Sequence, residues 1–515
     1  MTKSPAGNQA QFASIWINRA KGDVLRIVKK SLIAFLIVAL LPAQVAWGEQ
    51  FVPEGVDESK GDVAILVRDI FTSSQSFVHN QGEKDAFGNR PFCSSLTTES
   101  CSTAPSENLR IFQTIPLCSV DASASCIEGL DVYSADSQPQ AATYIRNVSG
   151  VQFSGDKRLG IPAAYTPAIW DAPLHPNASG STRYVTSVQI RWLYRFGKVS
   201  LENFFAVVHP VREIQDQKFG PSGVGKATRN GKTFTYLGAM NNGYTAEECA
   251  TTDVGYCAKV VEFAENTRVG LKLRLSKELT GWLQGRISKP SLKVTSIGSN
   301  LDRVEIDASP VEVPQLYAAT KVSNLPNWLQ GSLSANFGGG GRAFSDRQWR
   351  IFSSEGEQVV RITRALAKIA NNRAAHVSTS WNVSSLQRVA TGNRCLDNPN
   401  RLVGLVTTNA LAYSGGAPQF KNGFLSYQVA GAHYLPDGTT KTEGTYDLAL
   451  RSETARCLYG FSRAPISATI SVVGSKGEKK FATTVVRERS GWLTMAAYGF
   501  TFSSPTIQVK LTQKR

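Results

Sequence analysis

Apolar and polar positions alternate along much of the chain. Val188, Ile190, Trp192, Tyr194 and Phe196 alternate with Gln189, Arg191, Leu193 and Arg195. Val269, Leu271, Leu273 and Leu275 alternate with Gly270, Lys272 and Arg274. Successive side chains on a strand point to opposite faces. Each segment therefore predicts an antiparallel strand with one face packed inward and the other, often cationic, turned to water.

The last 120 or so residues repeat the pattern. Tyr446, Leu448 and Leu450 share one face, as do Ile466, Ala468, Ile470 and Val472, and Ile507, Val509 and Leu511. Gly474–Gly477 marks a turn into a Phe481–Val486 strand, and Ser490-Gly491 marks the next turn. Short strands with turns between them predict a sandwich. An immunoglobulin-like topology is compatible with the pair Cys395 and Cys457, but Trp492 lies after both cysteines rather than between them.

One segment has helical spacing. Ile362, Ala365, Leu366, Ile369 and Ala370 predict an amphipathic helix over about 355–374, with Ser353 or Ser354 as cap. Arg361, Arg364 and Lys368 fall on a neighbouring, basic side, expected to be solvated. The glycines of Phe337–Arg342 read as a flexible connection before it. The predicted class is mainly β: antiparallel sandwich modules with one helix between them. Residues 49–320 form an N-terminal β-rich domain, 321–394 a connecting region with the helix, and 395–515 a C-terminal sandwich.

The first 48 residues set the compartment. Arg19, Lys21, Arg26, Lys29 and Lys30 precede an uncharged run from Ser31 to Gly48, whose apolar centre, Leu32–Leu41, ends at Pro42. A spanning helix needs about 20 apolar residues. The layout reads instead as a secretory signal, with Ala46-Trp47-Gly48 as cleavage site and a mature chain from Glu49. An uncleaved anchor is the other reading, and the only one that gives the protein a membrane contact. Either way residues 49–515 lie outside the cytoplasm, secreted or at the cell surface.

The formal charge is +16, of which +5 belongs to residues 1–48, leaving +11 outside. A summed positive field favours anionic partners. Outside a cell these are wall polymers, acidic glycans or lipid headgroups. Nucleic acid is not expected, because the chain has no basic tail or compact basic run. Arg191, Arg195, Lys272 and Arg274 are the candidate anionic-polymer patch, forming one cluster if their two strands share a sheet.

All eight cysteines lie in the exported part. Cys93/Cys101, Cys118/Cys126 and Cys249/Cys257 are each eight apart, and Cys395 and Cys457 are 62 apart. An even count in an exported chain reads as a disulfide framework. The repeated spacing suggests local bridges, and Cys395–Cys457 as a tie within the C-terminal module; spacing alone leaves 105 pairings open. Zinc is the weaker reading, since the chain has no Cys-x-x-Cys.

Other chemistries leave little trace. Gly220–Ala227 nearly spells a phosphate-binding loop, but Ala227 stands where a magnesium-ligating hydroxyl is needed. It reads as a glycine-rich surface loop, with no nucleotide partner. His79, His175, His209, His376 and His433 lack metal-pair spacing, so no metal and no cofactor are expected. Asn147, Asn177 and Asn382 head glycosylation triplets, which favour exposed positions. No catalytic residue is assigned.

Thr280–Arg286, Ala455–Phe461 and Phe500–Thr506, with the pairs Cys118/Cys126 and Cys249/Cys257, resemble a family of uncharacterised exported actinobacterial proteins. The motifs are structural: a Trp on a strand, a Cys-aromatic strand and a terminal strand. The resemblance implies a cell-envelope setting and no activity. Two functional classes remain. The favoured one is a non-enzymatic envelope or secreted protein that binds an anionic surface polymer or a protein. The other is an extracytoplasmic hydrolase of glycan or peptide.

Overall fold

The structure is a computed structural model. It describes residues 62–67 and 75–513 except 83, 85–89, 103–107, 122–124, 218, 221, 230, 240–248, 332–347, 352–354, 386–390, 399, 463–465, 474–478, 482 and 503–505. The segment expected to be a secretory signal, its expected cleavage site, the Phe337–Arg342 glycines, the expected caps Ser353 and Ser354 and the expected Gly474–Gly477 turn lie outside the described residues. Phe51–Arg515 cluster as one compact unit.

The framework is a long hairpin, Arg183–Arg195 against Lys198–Gln215, paired from Arg183↔Val211 to Arg195↔Lys198. On one side of it Asn108–Thr114, Phe77–Asn80 and Phe92–Cys93 extend the sheet to an edge. On the other side Asn382–Ser385 links the hairpin to Gly281–Ser296. Leu402–Thr408 then adds in parallel, followed by Gly444–Arg451, Trp492–Phe500 and Thr483–Arg489. The Asn382–Ser385 strand comes from the region expected only to connect. The segment from residue 395 onward thus continues the sheet of the N-terminal strands.

Two long strands turn corners between sheets. Gly281–Ser296 leaves the large sheet to join Leu301–Lys321, Thr267–Ser276 and Cys126–Ser134 in a second one, and Leu301–Lys321 runs on to pair with His376–Ser380 and Asp62–Val67. The corner in Gly281–Ser296 falls where the register shifts between Ser288 and Ser291, at Lys289 with φ 51° and Pro290. An extra residue in the ladder bends a strand there. Apolar faces of the two sheets meet: Val188, Ile190 and Trp192 share one core with Val269, Leu271 and Leu273. A third sheet, built on Phe424–Ala430, Thr506–Gln513 and Ile466–Val473, packs over Tyr446, Leu448 and Leu450 to make the C-terminal sandwich. The chain is mainly β, as its alternation predicts.

Several local expectations change. Phe196 is not an inward residue. With Gly197 it forms the turn of the long hairpin at φ 49° and 74°, and its ring is 81 % exposed. The helix, α1, is Glu357–Ile369, shorter than expected. It stops because Asn371 and Asn372 take positive φ, which asparagine tolerates. Its basic side is not simply solvated: Arg361 stacks on Trp328 at 4.0 Å, and Arg364 donates to the Val429 carbonyl at 3.2 Å. The glycine-rich stretch is not a loop but a strand, Ser222–Arg229, hairpinned with Lys232–Ala239. Ala455–Phe461 is not a strand either; it holds most of a second helix, α2, Ser452–Tyr459, closed by Gly460 at φ 65°.

The four disulfides join Cys93–Cys101, Cys118–Cys126, Cys249–Cys257 and Cys395–Cys457. They place this part of the chain in an oxidising, extracellular setting. Among the described residues no helix is long and apolar enough to cross a membrane.

Candidate functional site

The four cations singled out in the sequence do not form one patch. Arg191 and Arg195 lie on the long hairpin, whereas Lys272 and Arg274 lie on Thr267–Ser276 in the second sheet. The apolar residues alternating with both sets enter the same core. Each cation pair therefore projects from the outer face of its own sheet.

On the outer face of the second sheet each cation named here has a carboxylate partner. Lys272 contacts Asp131 at 2.7 Å, and Arg274 pairs with Glu128. Arg303 reaches Glu128 at 2.7 Å, Lys293 reaches Glu305 at 2.8 Å, and Arg268 pairs with Asp307. Side-chain hydrogen bonds from Arg303 and Arg274 hold the Glu128 carboxyl below the usual range. Register makes the lattice: Lys272 faces Glu305, which faces Lys293. Asp131 and Asp307 flank Gly270, where a Cβ would lie 3.2 Å from an oxygen of each. Lys272 contacts both oxygens of Asp131, while Arg268 and the Tyr133 hydroxyl take those of Asp307.

The outer face beside the long hairpin differs. Residues directly opposite on neighbouring strands share a face. Register puts Arg195 between Asn108 and Lys198, and Arg191 beside Phe112, which faces Phe77. His79 stands between Phe92 and Arg110. Phe77 stacks on Phe112 at 3.9 Å, His79 on Phe92 at 4.4 Å, and the Arg191 guanidinium covers Phe112 at 4.5 Å. Arg90 donates to Gln81, whose side-chain amide lies 2.8 Å from His79 Nδ1. Arg195 donates to Asn108 Oδ1 at 3.1 Å.

Five cations, Arg90, Arg110, Arg191, Arg195 and Lys198, thus border a row of four flat rings. Among the described residues of this face one carboxylate answers them. Glu202 contacts Arg110 at 2.9 Å and Arg191 at 4.0 Å. It reaches this face because the register shifts there: Arg191 faces Asn203 while Trp192 faces Leu201, so Glu202 is the bulged residue. A bulge re-aims a side chain in this way, and alternation alone hides it. His79 registers the resulting field. Burial, then Arg110, Arg90 and Arg191, hold its ring below the ordinary histidine value. The glycine-rich hairpin docks at the edge, where Phe92 N–H donates to Thr235 Oγ1 at 2.8 Å. Lys226, opposite Thr235, and Lys232 at its turn are exposed.

The remaining sequence candidates are structural. Asn177 and Asn382 are buried, 3 % and 1 % exposed. Asn177 Nδ2 donates to the Val211 carbonyl at 3.1 Å, and Asn382 Nδ2 to Ser380 Oγ at 2.8 Å. Asn147 is half-buried, and its amide donates to the Thr166 carbonyl at 2.7 Å. Burial of these amides overturns the expectation of exposed acceptors.

No family model and no curated protein matches the chain.

Proposed function

We propose that this is an exported, non-enzymatic cell-envelope protein that holds an anionic surface polymer on the ring-lined face beside the long hairpin. The observation that carries the reading is that, among the described residues of this face, five cations meet one carboxylate, Glu202. Flat rings beside the cations supply stacking surface for sugar-like units, and the arginines supply forked donors for carboxylate or phosphate. The four bridges, the signal-like first 48 residues and the resemblance to exported actinobacterial proteins support an envelope setting.

The test is co-sedimentation of the mature protein with purified insoluble wall. Binding should fall steeply as salt rises from about 0.1 M to 1 M, because the screening length shrinks from about 10 Å to 3 Å. The combined variant Arg90→Gln, Arg195→Gln, Lys198→Gln should bind weakly at low salt and keep its melting temperature. The pair Lys272→Gln, Arg274→Gln should leave wall binding in place. Binding that ignores the triple variant would defeat the assignment.

A further inference from the structure

The tip of the long hairpin carries a feature that the polymer reading does not need. Arg195 pairs with Lys198 at the last rung of the ladder, and Phe196-Gly197 turns between them. Two-residue hairpin turns of this kind need positive φ at both positions and favour Asn-Gly. Phenylalanine at φ 49° works against that preference, since a bulky residue is rarely placed there. The ring does not recover the loss inside the protein, as it is 81 % exposed. Flanking side chains give no cover: Arg195 and Lys198 are exposed too, and Arg195 is tied to Asn108. The ladder pairs without a register shift from Arg195↔Lys198 to Trp192↔Leu201 and continues beyond the bulge at Glu202, so the ring sits at the end of a paired ribbon.

We infer that Phe196, with Arg195 and Lys198, is a membrane-contact tip that inserts at the interface of an anionic lipid bilayer. Charge complementarity selects the lipid. The cations lie where headgroup phosphates would be, and the ring lies beyond them, where the acyl boundary begins. A wall polyanion would satisfy the two cations but offers no apolar phase for the ring. This inference shares Arg195 and Lys198 with the polymer reading and goes beyond it in Phe196, which that reading does not use.

The test is sedimentation of the mature protein with two kinds of lipid vesicle, phosphatidylcholine alone and phosphatidylcholine mixed with phosphatidylglycerol. Binding is expected to the mixed vesicles and to be weak on the neutral ones. Phe196→Ala should weaken it by roughly tenfold, the scale of burying part of one large apolar side chain. Arg195→Gln and Lys198→Gln should each weaken it by roughly fivefold. Phe196→Trp should keep it, because tryptophan suits the interface. Phe196→Asn should also lose binding, but with an unchanged or higher melting temperature, showing that the ring serves the surface and not the turn. Leu174, 71 % exposed near the other end of the hairpin, supplies the control: Leu174→Ala should bind as before. Binding to isolated wall with none to anionic vesicles would overturn the lipid assignment while leaving the polymer reading intact. Vesicle binding that is indifferent to Phe196→Ala would overturn it as well.

Discussion

The ring of Trp282 lies directly over Gly404, on the neighbouring parallel strand, so that a methyl group at Gly404 would collide with it. The indole N–H donates to the Leu396 carbonyl at 3.1 Å, which fixes the ring in place. Here the strands from either side of residue 395 meet, and any side chain at Gly404 must displace the tryptophan. Gly404→Ala should therefore destabilise the protein by about 1–3 kcal/mol, the usual cost of overpacking a core. Denaturant unfolding checks it. An unchanged midpoint would show that the contact is not close-packed.

Cys395 and Cys457 close a 62-residue span and tie the turn before Leu402–Thr408 to α2. In the chain-entropy view a loop of that length is worth roughly 4 kcal/mol, more than any of the eight-residue bridges. Cys457→Ser should lower the melting temperature by several degrees, and by more than Cys118→Ser does. Equal or smaller shifts would count against a stabilising role for the long bridge.

Asp447 is 1 % exposed, and its Oδ1 accepts the Tyr498 hydroxyl at 2.5 Å. Burial pushes its carboxyl up to about 7, and burial does the same to Glu262. A carboxyl raised in the folded state stabilises the fold below its unfolded pKa of about 4, and that contribution is lost as pH rises through about 7. Stability should therefore decline across this window, by roughly 2–4 kcal/mol from Asp447. Asp447→Asn should flatten a good part of the decline. A slope left unchanged by Asp447→Asn would contradict the burial argument.

The alternation of Val269–Leu275 and Ile507–Leu511 made these strands legible, because each has one face in the core and one outside, whereas Tyr446–Leu450 buries Asp447 and Ala449 on its second face as well. The bridges followed from spacing and compartment. What alternation hides is whatever interrupts it. Glu202 reaches the cationic face only through a bulge, and Phe196 leaves the pattern because the chain turns there. Lys272 and Arg274 read as free cations because their partners, Asp131 and Glu128, lie about 140 residues earlier on another strand. Arg191 and Arg195 were found, but the rings beside them come from Phe77, Phe92 and Phe112, brought together only by the sheet.

A polyanion settled on the face around His79 would be reported directly by the His79 ring. Burial first, then Arg110, Arg90 and Arg191, hold it below the ordinary histidine value of about 6.5. A bound polyanion would offset those three charges, so the His79 pKa should rise on binding. The ring resonances, assigned with His79→Gln, can be titrated by nuclear magnetic resonance with and without soluble wall polymer. A raised His79 pKa at saturating polymer is the expected result. Saturable binding of the polymer with no change in the His79 titration would contradict the account.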